Sequence, residues 1–285
     1  MTNARSLRRG FAVLAGILVS LTALAACGSA DADESGPLRI LASATPHAEI
    51  LKQAQKAGLL DDVELDISEI SGDIDPNQLL EAGDIDANFF QHDPYLQDWL
   101  AQNNTDDLVN VASVHIEPLG VYSEKVTSLD EVPNGATVAL SNNLPNFARG
   151  LFLLQDAGLI TLDVKPTDKD LDFSQVTEAN ITDNPKQLSF VQIDPAQLPN
   201  TLQDGQIDVS VINGNYALEA GLSPADDALA LEAAEGNPYA NTLTVKKELQ
   251  DDPRVKALAK ALESPELAAW IDEQYDGSVI PVNGK

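Results

Sequence analysis

The sequence predicts an α/β protein of two lobes, and three observations carry that expectation. From Pro37 onward, short apolar runs alternate with helical patterns, the rhythm of a βαβα chain and hence of a mostly parallel sheet. An extended stretch at 109–122, with Pro118 inside it, interrupts the rhythm and suits a segment that leaves one sheet and enters another. A second alternating set then follows, and the length accommodates two α/β lobes better than one.

In order, strands are expected at 38–42, 63–67 and ending near Phe90, with helices at 47–58, 76–82 and 94–102. The second set has strands at 137–140, 188–193 and 208–212, with helices at 146–157 and near 216–220. A strand at 241–245 and helices at 253–263 and 265–274 close the chain and are expected to rejoin the first lobe. Residues 37–120 with 236–285 form lobe 1 in this reading, and residues 121–235 form lobe 2.

Residues 1–26 read as a leader. Arg5, Arg8 and Arg9 give a basic start, residues 11–26 are apolar or small, and Leu24-Ala25-Ala26 lead directly into Cys27, the single cysteine of the chain. An uncleaved anchor with an incidental cysteine is the alternative. A cysteine placed where small residues close the apolar run favours a bacterial lipoprotein signal, cut after Ala26, with Cys27 carrying lipid such as palmitate and residues 27–36 as a lipidated spacer. The expected location is the extracytoplasmic face of the cell membrane. Without a second cysteine the fold must rest on its core, not on a disulfide.

The formal net charge is −28, and the leader holds basic residues but no acid, so the mature chain is more acidic still. A surface of that sign excludes nucleic acid as a natural partner. The acids are spread along the chain, which suits a solvated surface better than a cation site. Enzymatic signatures are scarce: there is no G-x-S-x-G, no H-E-x-x-H and no glycine-rich phosphate loop. His47, His92 and His115 fall in separate segments without the spacing of a metal site. The expectation is therefore no enzyme, no cofactor and no metal.

Two features point to a ligand. Arg149 is one of three arginines after the leader, and its neighbours Pro145, Asn146, Phe147, Ala148 and Gly150 offer no carboxylate. Either it awaits an external carboxylate near a helix N-terminus, or it is an exposed arginine or half of a long-range ion pair. The run D-A-N-F-F-Q-H-D-P-Y at 86–95 gathers Phe89, Phe90, His92 and Tyr95 at a strand-to-helix turn, where α/β ligand sites lie. A Phe-Phe pair in the core and a hydrogen-bonded scaffold histidine would give the same pattern.

That run resembles the D-A-N-x-F-Q-H-x-P-Y-L signature of the NlpA family, the methionine-binding lipoproteins of ABC importers. Similar to the family as well are V-H-I-E-P at 114–118, the N-x-x-R-x-L element around Arg149, V-I-N at 211–213 with N-Y-A at 215–217, and N-P-Y-A-N at 237–241. Their order matches across nearly the whole mature chain. The resemblance implies a type II solute-binding fold, with a free amino acid, methionine in the first place, held in the cleft between two lobes joined by two crossover segments. Hinges are expected at 117–122 and 213–216. It further implies that Arg149 grips the α-carboxylate, that Asn213 and Asn241 bond the polar end, and that Phe90, His92 and Tyr95 surround the side chain. An ABC permease and its ATPase would be the partners of a monomer tethered to the membrane by lipid.

One departure stands out. Where the family usually places a tyrosine, this chain has Asp73. The loop takes another path, the pocket accepts something more polar, or Asp73 faces solvent. Two other classes compete with a binding protein: an extracellular hydrolase or lyase with His92 as base, oriented by Asp73 or Asp86, and a surface lipoprotein without a transport role.

Overall fold

The computed structural model describes residues 36–72 and 74–283. The leader, Cys27 and Asp73 lie outside the described residues. No helix among the described residues is long and apolar enough to cross a membrane.

The first βαβ units are β1 (Leu38–Ala42), α1 (Glu49–Lys56), β2 (Leu65–Glu69), α2 (Pro76–Ala82) and β3 (Ala87–His92). α3 (Asp93–Asn103) then leads into β4 (Leu108–Ile116). The local chemistry explains the boundaries. Asp75 caps α2 by accepting the Asn77 and Gln78 N–H groups, Pro76 fills the first turn, and Gly83 ends the helix in the left-handed region. A turn of helix at Ala44–Ala48 precedes α1.

After β4 the chain passes through Glu117, Pro118 and Leu119 into β5 (Gly120–Tyr122) of a second sheet. β6 (Thr137–Ser141), α4 (Leu144–Asp156), the two-stranded ribbon β7 (Thr161–Leu162) with β8 (Ile181–Asp183), and β9 (Ser189–Ile193) follow. Next come β10 (Val209–Ile212), α5 (Gly214–Glu219), α6 (Pro224–Asp227) and β11 (Ala230–Leu231). β12 (Asn241–Lys246), α7 (Pro253–Leu262), α8 (Pro265–Tyr275) and β13 (Ile280–Pro281) complete the chain.

The strands form two sheets, of order β13-β4-β12-β3-β1-β2 and β11-β5-β10-β6-β9. Each is less parallel than the alternation predicts. β1 pairs parallel with β2 and β3, and β6 with β9 and β10, but β12 runs antiparallel to both β3 and β4, and β5 antiparallel to β10 and β11. The physical reason is the crossovers. A strand entering from the other sheet is not delivered by a βαβ connection, so the right-handed parallel rule does not fix its direction.

The crossovers also correct one expectation. The first is at 117–119, but the second runs from β11 to β12 through residues 232–240, not through 213–216. Residues 213–216 instead turn from β10 into α5 and press on the first crossover: a Cβ added at Gly214 would lie 2.9 Å from Glu117 Cβ and 3.2 Å from the Pro118 carbonyl oxygen.

Two cores result. Under the first sheet, Leu38, Ile40, Phe89, Leu243 and Val245 meet Ile50 and Leu51 of α1, Val255 and Leu258 of α7, and Leu267 and Ile271 of α8. Under the second, Val138, Leu140, Val209 and Val211 meet α4, whose residues from Pro145 to Leu154 are all buried. Each fully buried leucine or isoleucine contributes about 2 kcal/mol of transfer free energy. α4 is apolar nearly all round, and it carries Arg149 into the interior with it.

Candidate functional site

A cleft of about 650 Å³ opens between the two sheets, lined from one side by Phe90, His92, Tyr95 and Asn241 and from the other by Asn146, Arg149, Asn213 and Tyr216, with Glu117 of the first crossover at its base. Among the described residues that line it, Arg149 is the one lysine or arginine.

Each side chain is held by local structure. His92 ends β3 and caps α3, its Nδ1 accepting the Tyr95 N–H at 3.1 Å. Nε2 therefore carries the proton and donates to Asn146 Oδ1 at 3.1 Å, across the cleft. Burial and the nearby Arg149 charge lower the His92 pKa to about 3, so it is neutral. With both ring nitrogens engaged, His92 can offer a ligand only its ring. The Nδ1 lone pair that a general base would use is taken by the Tyr95 N–H, and Asp86 is bound to Arg39 at 2.6 Å, not to His92. Tyr95 packs edge-on against Phe90 at 5.6 Å, and burial with Asp75 and Asp98 nearby pushes its hydroxyl up to about 12.

Asn146 is the shared acceptor of the second lobe. Its Oδ1 takes the His92 proton and one from Asn213 Nδ2 at 3.0 Å, while its Nδ2 donates to Asn143 Oδ1. Asn213 is 9% exposed, and its Oδ1 has no protein partner. A buried acceptor facing a cleft calls for a donor. Asn241 has the opposite polarity, since its Oδ1 is committed to His47 Nε2 at 3.1 Å and its amide nitrogen is the group left to give.

Arg149 resolves into one of the readings open from sequence. It is 2% exposed and forms a long-range ion pair with Glu232: Nη2 reaches Oε2 at 2.5 Å, and Nε reaches the two oxygens at 3.0 and 3.1 Å. Nη2 also donates to the Glu117 carbonyl at 2.8 Å, and the guanidinium carbon sits 4.6 Å above the Tyr239 ring. Burial would lower its pKa, but Glu232, Tyr239 and Glu117 more than offset that, and the arginine stays charged above its ordinary value. These bonds use Nε and Nη2 and leave Nη1 over.

Beneath the cleft His47 meets the segment that carries both His115 and Glu117, a convergence that the long stretch of sequence between His47 and His115 concealed. The ligand atoms of the three lie within 4.8 Å of one another. Glu117 Oε1 is 2.8 Å from His115 Nε2 and 3.2 Å from His47 Nε2. Both imidazoles are buried and neutral, with pKa values lowered by desolvation to about 4 for His47 and about 3 for His115. Both Nδ1 atoms lack a partner. A metal-ligating histidine donates its second N–H to a neighbour, and neither Nδ1 here has one. The cluster fits a His115 Nε2–H donated to the Glu117 carboxylate, with His47 Nε2–H given to Asn241 Oδ1 beside it, better than three metal ligands. Burial raises the Glu117 pKa against the opposing pull of His47, Arg149 and the Asn215 N–H.

Sequence reasoning missed Glu232, Tyr239, Asn146 and the His47 to Glu117 network as parts of the site. Tyr239 stood in a quoted motif without a role. Nothing near Glu232 in sequence marks it, since its partner is 83 residues away.

Comparison with known proteins meets this geometry. The NlpA lipoprotein family model matches residues 38–283. The chain belongs to the NlpA lipoprotein family. Among curated members, the methionine-binding lipoprotein MetQ of Bacillus subtilis is 39% identical over 269 residues, covering 94% of this chain and 96% of that one. The D-methionine-binding lipoprotein MetQ of Escherichia coli K12 is 36% identical, covering 93% and 95%. Among solved family structures, a Burkholderia cenocepacia nutrient-binding protein bound to methionine superposes with a TM-score of 0.77 at 38% identity, covering 86% of this chain and 99% of that one. The two-lobed α/β fold is common to the family, and these relatives are named as binding proteins, not as enzymes.

Proposed function

We propose that this protein is the extracytoplasmic, lipid-anchored substrate-binding component of an ABC importer, capturing methionine or a related amino acid or short peptide and delivering it to a permease driven by an ATPase. The observation that carries the reading is the polarity of the cleft. Arg149, the one charged donor, and the Asn241 amide face it together with the unpartnered Asn213 Oδ1, beside an apolar wall of Phe90, Tyr95 and the His92 ring. An α-amino acid needs that combination: donors for its carboxylate, an acceptor for its ammonium and an apolar wall for its side chain, because burying either charge unpaired costs several kcal/mol. The names of the relatives supply methionine.

In this reading Arg149 takes the α-carboxylate, Asn213 and Asn241 the polar end, and Phe90, His92 and Tyr95 the side chain. Residues 1–26 are the signal peptide, Cys27 carries the lipid, 37–120 with 236–285 and 121–235 are the lobes, the protein acts as a monomer without cofactor, and Asp73 is the position at which specificity departs from methionine if it departs. The test is native mass spectrometry of ligand released from protein purified without refolding, followed by calorimetric titration of L-methionine. Release and rebinding of L-methionine is the expected result. Another released solute revises the ligand, and no binding of any amino acid or peptide overturns the function.

A further inference from the structure

We propose that Glu232 is a positioning residue for ligand capture: it holds the Arg149 guanidinium in the one orientation that presents Nη1 to the cleft, and fastens it to both crossovers. This rests on the amino-acid-binding reading above and goes beyond it to a residue outside the cleft lining.

Glu232 is the first residue after β11 and so opens the second crossover. Its carboxylate takes Nε and Nη2 of Arg149 and also accepts the Leu119 N–H of the first crossover at 3.1 Å. Arg149 reaches the first crossover as well, through the Glu117 carbonyl. A planar guanidinium pinned along its Nε/Nη2 edge, with a tyrosine ring beneath it, has no freedom to turn. Its remaining nitrogen is aimed chiefly by Glu232, which lies outside the cleft lining, with the Glu117 carbonyl as the one cleft partner among these bonds.

The alternative orientation is also defined. Glu117 is the other carboxylate whose charge acts on Arg149. Released from Glu232, the buried cation turns to Glu117 in place of the ligand, since an unpaired buried charge is the costlier state. Loss of Glu232 therefore weakens carboxylate capture, although it removes a negative charge from beside the arginine.

The test compares L-methionine with L-methioninamide, which keeps the ammonium and side chain but lacks the carboxylate, at a pH where both amines are protonated. Affinities are read by ligand-observed NMR and calorimetry in wild type, Glu232→Ala and Glu232→Gln, with circular dichroism to confirm folding. The expected result is that Glu232→Ala weakens L-methionine by at least about tenfold while methioninamide changes by less than about threefold, and that Glu232→Gln, which retains one acceptor oxygen, recovers part of the loss. Equal weakening of both ligands would make Glu232 merely structural, and unchanged or tighter methionine binding would likewise overturn the proposal. Failure of the wild type to bind L-methionine is a separate outcome: it removes the amino-acid reading beneath the proposal, and with it the proposal.

Discussion

His92 Nε2 donates to Asn146 Oδ1 across the cleft, joining the end of β3 in one sheet to the first turn of α4 under the other. The bond satisfies the His92 Nε2–H and ties the cleft walls together, so its two partners brace the site even without touching a ligand.

Asn146→Ala tests that link. It strands the His92 N–H and the Asn213 amide, both buried, and the expected cost is about 1–3 kcal/mol per stranded donor. Urea denaturation of the variant against wild type checks this, and a change below experimental error would show that the walls do not need the bond.

Arg149→Ala should weaken L-methionine by at least about thirtyfold, near 2 kcal/mol, because the ligand carboxylate is then buried without its partner. The same change leaves Glu232 unpaired, so the melting temperature falls too. Calorimetry well below the lowered transition separates the two effects; undiminished affinity would refute the assignment of Arg149.

Stability should fall as the pH drops from about 6.5 toward 4. The folded pKa values of His47, His92 and His115 lie below the unfolded 6.5, at about 4, 3 and 3, so in that window the unfolded chain binds more protons. Their contribution is complete above 6.5 and is lost on acidification. Glu117, whose pKa is raised, acts with the opposite sign, its contribution fading as pH rises through its folded value. Melting temperatures across pH 4–8 check the direction; a flat profile would mean that these imidazoles are not held neutral.

Gly214→Ala places a methyl group 2.9 Å from Glu117 Cβ and 3.2 Å from a backbone oxygen that cannot swing away. An overpacking cost of about 1–3 kcal/mol is expected. Because the displaced segment carries the carbonyl that binds Arg149, methionine affinity should fall with stability, and a titration beside the denaturation curve reads both.

Much of the fold was legible because it follows local periodicity. The strand at Thr137–Ser141 and the helices at Pro76–Ala82 and Pro265–Tyr275 carry caps, prolines and apolar spacing in their own residues. β7, β8, β11 and β13 were not legible: at two or three residues each, they exist through their neighbours. The site divides in the same way. Phe90, His92 and Tyr95 lie within six residues and were visible as a run. His47 meets the neighbouring pair His115 and Glu117 only after two distant segments fold together. The Glu232 partner of Arg149 was invisible for the same reason, and 213–216 was mistaken for a crossover because only sheet order reveals where the chain returns.

The pairing of Arg149 with Glu232 has a consequence for recombination among relatives. Both residues lie between the two points where the chain passes from sheet to sheet and back, so exchanging residues 121–235 would carry the cation together with its counter-charge. From the first crossover the pair takes a carbonyl and an N–H of the main chain, which almost any residue supplies. The exchanged segment would need from its host the Tyr239 ring against the guanidinium, and the Glu117 carboxylate and His92 ring within reach of its charge. The Arg149–Glu232 pair would thus travel as one cassette, to be combined with first lobes whose pockets differ.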